Sequence, residues 1–351
     1  MTARFLATIG AAISAVLITT PGFTCTTLCL LEKGRALVAY NYDAWASEGL
    51  VLVNKRGTSK KSRVKQGASW TARHGSVTFN QFGRDEPNSG VNEKGLMVSL
   101  MWLDATRWPP ADHRPAVGLL EWIQYNLDNH ASVAEVVANA EAVRPTSQFP
   151  LHYLFADASG DAAAIEFLDG KLVVYRGDTL PVKALANSTY ADSIAAFEAA
   201  RRTGEMPTSP SSLDRFVRGA ILVSGDGDPI ARGFAALAAV ASPGRWRTRW
   251  SIVYDLGASE VFFKTDTNEA IRRLSVTSFD FSCRTPVKML DVTAPRSGDV
   301  ATAFVDYTRD ANRALLEASY TKTPFLSGKS ETERTASADH ADATSACAVT
   351  D

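Results

Sequence analysis

The chain has 351 residues, 45% of them hydrophobic, and a formal net charge of −1. That is enough apolar sequence for a substantial core. The near-zero charge excludes a basic field that would attract nucleic acid or an anionic membrane surface. Four cysteines and five histidines are scattered over this length without an H-e-x-x-H pattern or two short-spaced cysteine pairs, so neither a disulfide framework nor a metal site is expected.

Residues 1–24 read as a secretory signal peptide. Arg4 is the short positive region, 5–18 is an uncharged apolar run of 14 residues, and Pro21 and Gly22 break any helix ahead of a cut. A membrane span needs about 20 residues, so a retained anchor is the weaker alternative. An A-x-A ending is missing. The expected order is direct cleavage before Cys25, then an upstream cut followed by self-removal of the remaining residues, then lipidation of Cys25. Export to the periplasm or medium is the expected localisation, with no stable membrane insertion after processing.

Short strands follow. Residues 26–31 and 36–41 flank a tight turn at 32–35, and 49–54, 76–82 and 96–103 are further strand candidates. The basic stretch 55–61 reads as a solvated loop, because no aromatic residues interleave with it. Leu119, Leu120, Ile123 and Leu127 then make a helical face over 117–127. Ser132 caps a helix over 133–143, with Glu135 in the capping-box position. Strands return at 152–156, 163–167 and 171–175, helices at 190–201, 212–222 and 229–241, and strands at 250–255 and 261–264. Strands and helices occur in blocks, which implies antiparallel sheets covered by helices, an α+β architecture. From 327 to 351 the chain is rich in Ser, Thr, Ala, Asp and Glu and reads as a disordered tail. One domain over 25–326 is the expectation. Cys283 with Cys347 is the expected pair if a disulfide forms, since it would tie down that tail.

A G-x-S-x-G elbow, a P-loop and a convincing dinucleotide fingerprint are absent, which weakens serine hydrolase, nucleotide and dehydrogenase readings. A cysteine that becomes the first residue needs no histidine. Its thiol (reference pKa near 8.5) can pass its proton to its own α-amine (near 7.7 to 8.0), which later hands it to a leaving amine.

The segments Cys25-Thr26-Thr27, Asn41-Tyr42-Asp43, 51–57, 90–96, 185–190, 215–218 and 248–255, taken in order, resemble the choloylglycine hydrolase family. These linear amide C–N hydrolases include bile salt hydrolases and penicillin V acylases and belong to the N-terminal nucleophile (Ntn) hydrolases. The resemblance runs from about Cys25 to Leu290. It implies a four-layer αββα sandwich and hydrolysis of a non-peptide amide, such as penicillin V, an N-acyl homoserine lactone or a conjugated bile acid, through an acyl-thioester. No cofactor is implied, the partner is a small-molecule amide, and the family often forms homotetramers, which makes that assembly one candidate here. Cys25 takes the part of nucleophile and Asp43 that of the carboxylate holding its α-amine. Asn92 (backbone N–H) and Asn187 (side-chain amide) take that of oxyanion donors, typically worth about 3 to 4 kcal/mol each. Arg215 takes that of a cation favouring thiolate. Taken without the resemblance, both asparagines read as turn or cap residues and Arg215 as an exposed helix residue.

Two departures stand out. Tyr40 occupies the place where the family usually has an arginine, and Ala44 separates Asp43 from Trp45. Tyrosine supplies neither the permanent charge nor the forked donors of arginine. An acyltransferase using the same thioester, and a non-catalytic exported lipoprotein or binding module, are the alternative functions. Trp45, Trp102 and Trp122 are candidates for an acyl pocket, with the core as their plainer place.

Overall fold

The strand Thr26–Glu32 (β1) buries the side chains of residues 26–30 on both faces, the strand Arg35–Asp43 (β2) buries those of 36–43, and the pair closes as an antiparallel hairpin with Thr27 opposite Tyr40. The structure is a computed structural model that describes residues 24–32 and 34–348. The expected signal peptide, Thr24 apart, lies outside the described residues.

β1 and β2 sit inside a first sheet, ordered Ala184–Leu185, β1, β2, Thr248–Asp255, Glu260–Thr265, Asn268–Ser275, Gly298–Asp299. A second sheet runs Lys171–Arg176, Ala162–Leu168, Leu151–Ala156, Met97–Trp102, Ser89–Asn92, Ser76–Asn80, Leu50–Asn54, Lys288–Asp291, Val305–Asp306. The two sheets face each other across an apolar layer bridged by a few polar contacts. Thr27 Oγ1 meets Ser99 Oγ at 2.8 Å, Ser89 Oγ meets Tyr254 Oη at 2.7 Å, and Tyr40 Oη donates to the Leu100 carbonyl at 3.0 Å.

Helices cover both outer faces. Leu119–Asn129 (α1) and Val133–Asn139 (α2) pack on the second sheet, and Ser132 caps α2 as expected. Tyr190–Thr203 (α3), Ser212–Leu222 (α4) and Pro229–Ala239 (α5) form the layer over the first sheet, α4 and α5 lying directly against it. This is the expected four-layer αββα sandwich. Among the described residues, no helix is long and apolar enough to cross a membrane.

Three expectations need correction. Residues 116–118 form a short strand parallel to Arg144–Thr146, so the helix starts only at Leu119. The basic stretch is not a solvated loop throughout: Thr58–Lys61 is a strand, and Lys60 is buried between Asp85 (2.8 Å) and Asp128 (3.0 Å). The region from 327 is not a disordered tail. Arg309–Lys322 (α6) and Glu331–Thr344 (α7) form a helical pair. A capping box of Ser330 and Glu333 starts α7, Asn312 Nδ2 donates to the Ala338 carbonyl at 2.8 Å, and the small side chains of Ala338 and Ala341 are buried. Cys283 and Cys347 are joined by a disulfide that fastens the end of this unit to the sandwich. Polar composition concealed the helix because its contact face is built from alanines.

Candidate active site

Cys25 lies at the start of β1, fully buried, on the side of the first sheet that faces the second. Its Sγ accepts the backbone N–H of Asp43 at 3.4 Å, so β2 ends against the thiol. Burial pushes the thiol up to about 12, and the nearby Asp43 charge adds to the rise; the Asp43 N–H, the Tyr40 hydroxyl and Arg215 pull the other way. Tyr40 therefore stands beside the sulfur, with its own hydroxyl tied to Leu100.

The Asp43 carboxylate is also fully buried. Neither of its oxygens has a hydrogen-bond partner in bonding geometry. Burial raises this carboxyl to about 6, against the pull of Arg215 and of the neighbouring hydroxyls of Thr248, Ser242 and Thr24. A register shift between Thr248 and Trp250 marks the strand beside it.

Arg215 comes from the first turns of α4 and is buried rather than exposed. Its Nη1 donates to the Cys25 carbonyl at 3.1 Å and also reaches the Thr24 carbonyl and Thr26 Oγ1. Its Nη2 donates to Asn187 Oδ1 at 2.7 Å. Burial lowers its pKa, while the charges of Asp43 and Cys25 raise it. Gly219, one turn along the same face, permits this approach: a Cβ there would lie 2.6 Å from the Leu28 side chain.

Asn187 is oriented from both sides. Its Oδ1 accepts from Arg215, and its Nδ2 donates to the Trp102 carbonyl at 2.9 Å, which leaves the second amide hydrogen for another acceptor. The chain around it is pinned by a buried pair. His152 Nε2 bonds the Ala186 carbonyl at 2.7 Å, His152 Nδ1 meets Glu166 Oε1 at 3.0 Å, and that oxygen accepts the Tyr190 N–H at 2.8 Å. A carbonyl only accepts, so Nε2 carries a hydrogen, and the Nδ1 contact requires one proton between imidazole and carboxylate.

Cys25, Asp43, Arg215 and Asn187 thus form one constellation. Asn92 does not join it. Its N–H donates to the Leu96 carbonyl at 2.9 Å, its Nδ2 donates to the Leu127 and His130 carbonyls, and its Oδ1 accepts from Lys94 and Leu96. All its polar atoms serve a turn and the end of α1, on the face of the second sheet away from Cys25. The plain turn reading holds there.

Sequence reasoning named Trp102 as a candidate pocket wall, which it is, but missed that its carbonyl holds Asn187, and missed the His152–Glu166 pair behind it. Only spatial proximity links these residues; an isolated histidine in a strand carries no spacing signal. Beside Trp102 opens a cavity of about 280 Å³, with Tyr42, Leu100, Leu151 and Phe149 among its walls. Trp122 belongs instead to the core, against Tyr153, Phe155 and Phe167. Trp45 meets Trp246 edge-on at 5.1 Å.

Residues 25–191 match the family model of linear amide C–N hydrolases, choloylglycine hydrolase family. A penicillin V acylase of Pectobacterium atrosepticum is 31% identical over 179 residues, 44% of this chain and 46% of that protein, so the alignment spans less than half of that curated relative. The structure of penicillin V acylase from Agrobacterium tumefaciens superposes with a TM-score of 0.72 at 27% identity, covering 81% of this chain and 98% of that one. A variant of the conjugated bile acid hydrolase from Clostridium perfringens shares the fold, with a TM-score of 0.65 at 17% identity over 76% of this chain and 97% of that one. Residues 25–191 are thus similar to the choloylglycine hydrolase family of linear amide C–N hydrolases, and the likeness of fold to the penicillin V acylase structure continues well beyond that stretch.

Proposed function

We propose that this chain is an exported amidase that hydrolyses a linear, non-peptide amide, with Cys25 acting as an N-terminal nucleophile once the residues before it are removed. The observation that carries the reading is the Asp43 carboxylate: fully buried, with hydroxyls nearby but neither oxygen in bonding geometry with a partner, at the end of the strand whose backbone touches Cys25 Sγ. A buried carboxylate of that kind is costly unless a cation joins it. The α-ammonium of a chain beginning at Cys25 is such a cation.

The same step awakens the thiol. With Thr24 attached, burial holds the thiol far above neutral pH. Removal of Thr24 replaces an amide with an amine that titrates near 7.7 to 8.0 and can take the thiol proton. The thiolate then attacks the substrate carbonyl. The second hydrogen of Asn187 Nδ2 is the donor best placed for the oxygen that becomes negative, because Arg215 and Trp102 fix that side chain. The C–N bond breaks, the α-ammonium returns its proton to the departing amine, and an acyl-thioester remains. Water, deprotonated by the same amine, releases the acid and restores the thiol. Tyr40 offers a hydroxyl but no charge, so positive potential at the sulfur rests on Arg215 and the α-ammonium.

The apolar cavity beside Trp102 favours a small acyl amide, such as penicillin V or an N-acyl homoserine lactone, over a bulky bile acid conjugate. The leader 1–24 supports export. The homotetramer rests on the family habit alone, and light scattering of the purified protein tests it. The function itself is tested by intact mass and N-terminal sequencing, followed by release of free amine from an amide panel by the wild type and by Cys25→Ser. A blocked or lipidated terminus, or equal rates for the two proteins, overturns it.

A further inference from the structure

The cavity beside Trp102 has a wall that the family-matched stretch does not supply. Tyr320, Phe325, Leu326 and Lys329 line it, and all four come from the end of α6 and the connection to α7, far beyond residue 191. Phe325 is 42% exposed on its own account, yet its ring lies 5.1 Å from Phe149 and 6.4 Å from both Trp102 and Trp246. The connection is held in place rather than draped. Ser319 Oγ donates to the Gln81 carbonyl at 2.7 Å, Tyr320 packs on Phe82, and Arg334 pairs with Glu317 at 2.6 Å. The Cys283–Cys347 disulfide fixes the far end of the unit.

We infer that the α6–α7 connection, with Phe325 at its centre, is the specificity wall for the acyl half of the substrate, selecting apolar acyl groups long or flat enough to reach that ring. The inference rests on the proposed amidase reading and names its substrate class. Tyr42, Leu100 and Trp102 line the cavity; Tyr42 precedes Asp43 in the strand, the Leu100 carbonyl holds Tyr40 and the Trp102 carbonyl holds Asn187, so the cavity lies next to the Cys25 constellation and is the apolar space nearest to an acyl group on Cys25. The charged residues of the lining are Arg63, paired with Glu86 at 2.7 Å, and Lys329, paired with Glu333 at 3.1 Å. With these charges already paired and the rest of the wall largely apolar, a cationic acyl group would lose its hydration without gaining a counter-charge.

The test has a kinetic and a binding arm. Amides of one common amine with butanoyl, octanoyl, phenoxyacetyl and 6-aminohexanoyl groups are assayed with the wild type, Phe325→Ala and Phe325→Leu. Loss of the ring raises KM about tenfold for the octanoyl and phenoxyacetyl amides, and far less for butanoyl, with kcat moving less than KM. Phe325→Leu recovers most of the loss, and the 6-aminohexanoyl amide is a poor substrate throughout. In parallel, calorimetry follows octanoate binding to Cys25→Ala protein with and without Phe325→Ala, where the ring's absence weakens binding by the same factor. Equal KM changes at every chain length, or equal octanoate binding, overturn the wall. If the wild type hydrolyses nothing, the amidase reading falls and the binding arm alone decides the wall.

Discussion

Among the described residues, the charges around Lys60 and around Cys25 are both deeply buried, and they are accommodated in opposite ways. Around Lys60 a buried cation sits in direct contact with its counter-charges, one ammonium shared by two carboxylates. The ammonium lies 2.8 Å from Asp85 and 3.0 Å from Asp128, and Asp128 also accepts from Trp70 Nε1 (2.7 Å) and Gln124 Nε2 (2.8 Å). At Cys25 the Asp43 carboxylate has a guanidinium in its field but no hydrogen bond, and Arg215 spends its donors on backbone carbonyls, Thr26 and Asn187. Buried charge in contact with its counter-charge holds a fold together. On the proposed reading, the Asp43 carboxylate gains its direct counter-charge when the chain begins at Cys25.

The largest effect that would sharpen this contrast is removal of the cation at the Lys60 site. Lys60→Met leaves two carboxylates buried together and lowers stability by about 3 to 5 kcal/mol, read by urea unfolding at pH 7. The loss shrinks as pH falls and the orphaned carboxylates take up protons. A variant as stable as the wild type would show that the cluster is not held by its charges.

Asp43→Asn probes the Cys25 site, and its sign depends on the start of the chain. In a chain retaining Thr24, the Asp43 carboxyl titrates at about 6 in the folded state against 3.8 in the reference state. The folded form then binds the proton more tightly, so stability falls as pH rises from about 4 through about 6. The penalty of the ionised form reaches about 3 kcal/mol above that window. Asp43→Asn in that chain is therefore more stable than its parent at pH 8 and gains nothing at pH 3.5. In the chain that begins at Cys25, the same substitution removes the partner of the α-ammonium, lowers stability at pH 8 and abolishes amide hydrolysis. Stability-pH curves on both forms measure this; curves of the same sign would break the comparison.

How far the sequence revealed these sites follows from how local each is. The β1–β2 hairpin was legible because a tight turn separates two apolar runs, and Cys25 and Asp43 are neighbours through that turn. Asn187 and Arg215 came from resemblance alone, since the chain between them and β1 has no local reason to converge. Lys60 was misread as solvated because its partners lie 25 and 68 positions away on other elements. The α6–α7 pair was misread because capped helices packing on alanines look polar in composition. Asn92 was misplaced for the reverse reason: a Gly-x-Asn-Glu-x-Gly turn is conspicuous in sequence, yet its hydrogen bonds are taken up by its own turn and by the end of α1.

Asn92 accordingly sides with Lys60 rather than with Cys25. Its amide joins the strand Ser89–Asn92 to the last turn of α1 through the Leu127 and His130 carbonyls, and its Oδ1 closes the turn on Lys94 and Leu96. Asn92→Ala strips partners from two buried carbonyls and should cost about 1 to 3 kcal/mol of stability. Amide hydrolysis at 20 °C should then retain the parent's kcat and its pH profile. Asn187→Ala should do the opposite, with kcat lower by about 100-fold or more and a smaller change in unfolding midpoint. A 100-fold loss of kcat in Asn92→Ala at unchanged stability would return that residue to the oxyanion role and place the reacting carbonyl on the α1 side of the second sheet.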